Sequence, residues 1–234
     1  MTFELSQRHQ AARDRARVFA REVVTPQADA IDRSGQIPAA ILADAEVLPA
    51  ASDLVTVVVV VEELAAASAA AALAVALGVG VPASLAGLRG APEPDRSPRA
   101  QVVLTAAALG VGRAALDQAI ADLRESSAHP GGDEKPHWAV ADAATELDAA
   151  RLLTFKAAAA PAGERHDAEI AMARLLTASA ARHAIDVALR LGGSRAFESG
   201  SLLDRLSRDA RALALVGGGE EQLRGTAAAG ILPE

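Results

Sequence analysis

The sequence predicts an all-α fold: N-terminal helices packed on a C-terminal antiparallel bundle, with no β-domain between them. Three observations carry this. The 234 residues are 51% hydrophobic but only 2% aromatic, the apolar share being mostly alanine, leucine and valine. Alanine is the best helix former, and small side chains let helix axes approach closely. Apolar residues recur at helical spacing along most of the chain. Finally, Pro82, Pro92, Pro94 and Pro98, with Gly87 and Gly90, mark a linker between two alanine-rich regions. The chain therefore divides into an N-terminal helical region (1–80), a Pro/Gly linker (81–98) and a C-terminal helical bundle (99–234). It is long and apolar enough to bury a sizeable core.

Taken in order, Leu5 to Val24 reads as one amphipathic helix, with Leu5, Ala12, Ala16, Phe19 and Val23 on one face. Thr25-Pro26 should end it, because proline disfavours helix in the preceding residue. Ser34-Gly35 is a turn, and Pro38 opens a short helix through about Glu46. The valine run Val57 to Val61 favours a strand by propensity alone. It continues without a turn signal into an alanine-rich stretch, so one helix is expected from about Leu54 to Leu77. Beyond the linker, helices are expected over Ala100–Ser126, His137–Ala160, Asp167–Leu191, Leu202–Leu215 and Glu220–Ala229. Pro161 and Gly192-Gly193 act as stops between them.

Composition also excludes functions. With no cysteine there is no disulfide, thiolate metal site or cysteine nucleophile. A net charge of −7 argues against nucleic acid as a partner. The first twenty residues are too charged for a signal peptide. Leu64 to Val81 carries no charge, but its alanines and glycines suit a buried helix better than a membrane span. A cytoplasmic protein is expected. His129, Asp133, Glu134 and His137 could hold a metal, yet the glycines and prolines around them favour a solvated loop. The one Glu-x-x-His pair, Glu134 to His137, spans Pro136 and cannot form a helical di-iron site. No nucleophile elbow or phosphate loop is present.

The segment Leu202 to Arg224, LLDRLSRDARALALVGGGEEQLR, resembles the C-terminal signature of the acyl-CoA dehydrogenases. There an Arg-Asp-Ala-(Arg/Lys) element leads into a Glu-Gly-Thr turn and an (Ile/Leu)-x-Arg helix. Thr105–Arg124, Glu146–Ala158 and Ala171–Leu191 resemble the three long helices of the same domain. FAREVVTPQADAIDRSGQIPAAIL and the Glu-Glu-Leu at Glu62 resemble the N-terminal helical domain. The resemblance implies a member whose middle β-domain is replaced by the linker.

It also implies an altered active site. Counting from Arg208 and Asp209, the position of the family's catalytic glutamate is held by Gly217, which cannot accept a proton. The family's alternative base position, one residue before an arginine matched by Arg99, holds Pro98. Arg99 remains a candidate on the substrate side. At the flavin pyrophosphate, Arg124 matches an Arg-x-x-Phe-Gly element whose Phe-Gly is replaced by Ser127-Ala128. Gly192 and Gly193 match a Gln-x-x-Gly-Gly element whose Gln position holds Leu189, or Arg190 if the alignment slips by one. That diglycine reads first as a helix stop and second as a phosphate contact. Glu220 and Glu221 could replace the base, but acidic residues in a first helical turn already favour the helix dipole.

Three functions follow as expectations. The first is a non-catalytic, structural or partner subunit, self-associating or paired with a full-length acyl-CoA dehydrogenase, as the resemblance implies. The second is an active dehydrogenase with FAD shared across a subunit interface; without such sharing no cofactor is expected. The third is a flavin-free enzyme acting on an acyl thioester or polyketide-like substrate. Oligomerisation would use Leu175, Leu176, Ile185, Leu189, Leu191 and Leu213.

Overall fold

In the computed structural model the described residues are 4–43, 47–49, 52–77, 97–126, 135–161 and 165–232, and none of them is in a strand. Ten α-helices follow in order among these described residues. They are α1 (Gln7–Phe19), α2 (Ala28–Ser34), α3 (Ala39–Ala43), α4 (Leu54–Ala67), α5 (Ala69–Leu77), α6 (Pro98–Ser126), α7 (Lys135–Ala159), α8 (His166–Gly192), α9 (Leu202–Leu215) and α10 (Glu220–Ala229).

Ser6 caps α1 by accepting from the His9 amide at 3.3 Å, and the helix buries Ala12, Ala16 and Phe19. Thr25-Pro26 does not end it. A π-turn (Ala20–Val24) and a 3₁₀ turn (Thr25–Gln27) carry the chain into α2. The wider turn accommodates the amide that Pro26 lacks, and the Thr25 hydroxyl donates to the Ala20 carbonyl at 2.9 Å. Gly35, at φ +67°, stops α2.

The five valines are helical, as expected, and all are buried. Surroundings apolar on every side override their strand propensity. The expected single helix to Leu77 is, however, broken at Ser68, whose backbone is extended (φ −160°, ψ 116°) and whose hydroxyl accepts from the Ala71 amide at 3.3 Å. A serine in an alanine run is an N-cap able to start a second helix.

Beyond the linker, whose residues 81–96 lie outside the described set, α6 begins two residues earlier than expected. Ser97 caps it at the Ala100 amide (3.3 Å), and Pro98 takes the first-turn position where its missing donor costs nothing. Close pairs Glu146–His183, Thr154–Thr177 and Ala157–His166 set α7 antiparallel to α8. Gln101–Arg174 sets α6 parallel to α8. Alpha-helix α6 also packs on α4. At that crossing a Cβ on Gly110 would stand 2.4 Å from the Glu62 carbonyl, so only glycine lets the two axes come so near. Helix α6 alone among the described helices is long and apolar enough to cross a membrane, and two thirds of that stretch is buried inside the fold.

Two buried carboxylates tie four helices together. Glu62 accepts from Arg113 and Arg151 at 3.1 Å; Glu63 accepts from Arg17 and Arg113 at 2.9 Å. Burial would raise the Glu63 carboxyl, but the Arg17 hydrogen bond and the Arg113 charge outweigh it and hold it below its ordinary range. Of the leucines and isoleucine expected at a subunit interface, Ile185 and Leu213 lie in the core at 3% and 5% exposure. They are corrected to packing residues, since helical spacing does not say which face is already covered from within.

Candidate functional site

Helix α9 carries the Arg208-Asp209 element and delivers the chain into Gly217. Its Ser201 cap accepts from the Asp204 amide at 3.1 Å, and Leu203, Leu206, Ala210 and Leu213 pin its inner face. Arg208 grips Asp32 of α2 with two bonds of 2.7 Å and Asp204 with one of 3.1 Å. Arg205 bonds Asp29 at 2.7 Å and the Ala67 carbonyl at 3.3 Å. Asp209 accepts from the Ala69 amide. The break at Ser68 is thus held from both sides by α9: a cation on the last carbonyl of α4 and an acceptor on the first amide of α5. Burial pushes the Asp209 carboxyl up to about 7, against the opposing pull of Arg205.

Gly217 sits at φ +75° in the turn between α9 and α10. Its carbonyl accepts from Arg174 at 2.8 Å and from the Gln101 amide at 2.9 Å. Arg174, 4% exposed on α8, also reaches the carbonyls of Val216 and Leu213 and the Gln101 side chain. Its hydrogen-bond acceptors are all uncharged, and burial lowers the guanidinium to about 10. A Cβ on Gly217 would meet the Leu104 side chain at 2.6 Å and Arg174 at 3.2 Å.

Next to this turn is a cavity of about 150 Å³ lined by Pro98, Gln101, Asp167, Gly217, Gln222 and Thr226. Asp167 is the carboxylate that reaches it. No local pattern marks this pair, because Asp167 and Gly217 are brought together only by the packing of α8 against α10. Glu220 and Glu221 do not line it. Glu220 pairs instead with Arg224 at 2.7 Å and borders a separate apolar cavity of about 210 Å³ lined by Leu104, Ala108, Leu175 and Leu213. Arg99 donates to the Ser52 carbonyl at 2.9 Å, joining the start of α6 to the segment before α4.

The diglycine ends α8, with Gly193 at φ +59°. It opens on a groove of about 290 Å³ lined by Gln118, Asp122, Glu125, Gly192, Arg195 and Ser201. A Cβ on Gly192 would lie 3.3 Å from an Asp122 carboxylate oxygen. Arg124 and Arg190 are both exposed and do not line this groove. The site residues read from the sequence therefore fall into separate places rather than one cleft. The loop with His129, Asp133 and Glu134 lies outside the described residues, and no group of three or more metal-ligating side chains occurs among those described.

Residues 99–232 match the family model described as the acyl-CoA dehydrogenase C-terminal domain. The chain belongs to the acyl-CoA dehydrogenase family. Its fold resembles butyryl-CoA dehydrogenase from Megasphaera elsdenii (TM-score 0.78, 14% identity, 100% of each chain covered). It also resembles a glutaryl-CoA dehydrogenase bound to glutaryl-CoA (0.76, 17%, covering 97% of this chain and 96% of that one). Identity that low speaks for the fold alone.

Among curated proteins, this acyl-CoA dehydrogenase relative is 33% identical over 153 residues to a 3-sulfinopropanoyl-CoA desulfinase of Paraburkholderia xenovorans, covering 64% of this chain and 38% of that protein. It is 31% identical over 125 residues to a 3-(aryl)acrylate reductase of Clostridium sporogenes, covering 52% and 33%. The chain spans about a third of the length of these relatives.

Proposed function

We propose that this chain is a non-catalytic structural or partner subunit of an acyl-CoA dehydrogenase-type assembly, associating with itself or with a full-length acyl-CoA dehydrogenase in the cytoplasm. One observation carries the reading. At the position matching the family's base, the main chain is held by Arg174 and Gln101, and Leu104 fills the space a side chain would need. The arginine and aspartate of the signature survive beside it because they have structural work: Arg208 binds α2 and Asp209 braces the α4–α5 break.

The residues present also do not fit a flavin pyrophosphate. At the diglycine, Asp122 and Glu125 and the negative end of the α8 dipole face one cation, Arg195, so a pyrophosphate would meet net repulsion.

The test is direct. The purified protein, with FAD added, is assayed with butyryl-CoA and a dye acceptor, and its flavin content is read from absorbance near 450 nm. No bound flavin and no dye reduction are expected; turnover would sink the reading.

A second reading has its own support. One relative, at 33% identity, is named a 3-sulfinopropanoyl-CoA desulfinase, and Asp167 lines the cavity at Gly217. Flavin-free chemistry on an acyl thioester is its content. Sulfite release from 3-sulfinopropanoyl-CoA, lost in Asp167→Asn, would favour it over the first.

A further inference from the structure

Arg174 is a buried cation with no anion beside it. Its terminal nitrogens donate to the Gln101 side chain and to the carbonyls of Leu213, Val216 and Gly217. All four acceptors are neutral. Burial alone lowers the guanidinium to about 10, so no neighbouring carboxylate offsets the cost of the charge. An arginine has five N–H donors, and the fifth, Nε–H, has no acceptor among the described residues. A charge held out of water without a counterion is costly, and an anion brought to it from outside recovers part of that cost.

Arg174 stands in the wall of the cavity of about 210 Å³. The rest of that wall is mostly apolar: Leu104 and Ala108 of α6, Leu175 and Ala178 of α8, Leu213 of α9 and Leu223 of α10. Alanine at 108 and 178 leaves room that a larger side chain would fill. An apolar cavity of about 150 Å³ holds benzene, so this one has room for an apolar body of about eight carbons. The polar features at its edge suit an anion. Arg182 also lines the cavity, exposed and without an ion-pair partner among the described residues. Glu220, the carboxylate among the lining residues, is already paired with Arg224 at 2.7 Å. No side chain caps α10, whose N-cap Gly219 borders the cavity, so the positive end of that helix dipole adds to the field.

The cavity lies on the side of α6 turned away from α4. Gly110, packed on Glu62, stands about 200° around the helix from Ala108, at about 100° per residue. The cavity is also separate from the one at Gly217 that Asp167 lines. A thioester would not answer the buried cation, because its carbonyl end carries no charge, whereas a free carboxylic acid is ionised at neutral pH.

We propose that this cavity binds a small free carboxylic acid whose apolar body has about eight carbons, its carboxylate accepting from the Arg174 Nε–H and its body lying between α6, α8, α9 and α10.

Titration calorimetry of the purified chain with sodium octanoate at neutral pH should show one site per chain. Octanamide keeps the body and lacks the charge. It should bind about tenfold more weakly or worse, the difference between a charge-assisted and a neutral hydrogen bond. Acetate, a head without a body, should give no binding. Arg174 also holds the turn between α9 and α10, so the charge is varied on the ligand rather than on the protein. Ala178→Leu fills the cavity and should weaken octanoate about tenfold or more, with an unchanged helical circular dichroism spectrum. Absence of octanoate binding at millimolar concentration overturns the proposal. So does equal affinity for octanamide, which would leave an apolar hole without a carboxylate site. Full octanoate affinity in folded Ala178→Leu overturns it too, by placing the ligand elsewhere. Dye-linked turnover would sink the subunit reading and leave this site untouched.

Discussion

Arg174 of α8 donates to the Gly217 carbonyl at 2.8 Å, so a buried cation holds by its backbone the turn between α9 and α10. The same guanidinium serves Val216 and Leu213, and Arg174 thereby closes the end of α9 onto α8. Arg174→Met would leave these carbonyls without their donor in a buried place. The expected loss is about 2–4 kcal/mol in urea unfolding. Hydrogen exchange should rise first at α10. Unchanged stability would show that the turn does not depend on this residue.

Asp209 makes stability depend on pH with a definite sign. Its folded value near 7 lies above the ordinary 3.8, so the folded state holds the proton more tightly than the unfolded chain. Below the unfolded value both states carry the proton. Between the two values the unfolded chain ionises first, and this contribution falls as pH rises, levelling above 7. Asp209→Asn keeps an acceptor for the Ala69 amide and removes the titration. Wild-type stability minus variant stability should therefore drop by about 2–4 kcal/mol between roughly pH 4 and 8. Parallel pH profiles for the two proteins would refute it.

Glu63 acts in the opposite direction. Its carboxyl is held below the ordinary range by Arg17 and Arg113 despite burial, so its stabilisation is present above the unfolded value and lost as pH falls through the folded one. Glu63→Gln should cost about 1–3 kcal/mol at pH 7, because Arg17 loses its anion and Arg113 loses one of two. The gap between wild type and variant should close on acidification. A gap that persists at pH 3 would mean packing, not charge, sets the cost.

How far the chain could be read from sequence depended on whether a signal was local. Leu202–Leu215 and Glu220–Ala229 were legible to the residue, because Ser201 and the triple glycine at Gly217–Gly219 punctuate them. The all-helical fold was legible too, since alanine leaves little else for Val57–Val61 to join. Ser68 is not legible as a break, because a serine inside an alanine run resembles a buried filler and its capping role depends on the Ala71 amide. Thr25-Pro26 is not a stop, because one turn widens instead of ending. The site was harder. Arg174 looks like any helical arginine, and its carbonyl acceptors lie about forty residues away in sequence. Asp167 reaches the Gly217 cavity only through tertiary packing.

On the proposed reading, a carboxylate placed at Gly217 should not confer dehydrogenase chemistry. Gly217 has φ +75°, a conformation that costs other residues about 1–2 kcal/mol. Its Cβ would stand 2.6 Å from the Leu104 side chain, so overpacking adds about 1–3 kcal/mol. Gly217→Glu should therefore unfold at lower urea than wild type, and Gly217→Ala should account for most of that loss. Neither should reduce a dye acceptor with butyryl-CoA and FAD. A base contributes about 10²- to 10⁴-fold only when held at reacting distance from a bound substrate and opposite its electron acceptor. Here Asp122 and Glu125 occupy the groove beside the diglycine that would have to receive the pyrophosphate. Dehydrogenase turnover in Gly217→Glu would show that the cleft is preformed and lacks only its base. That outcome would make this chain a disabled enzyme rather than a scaffold.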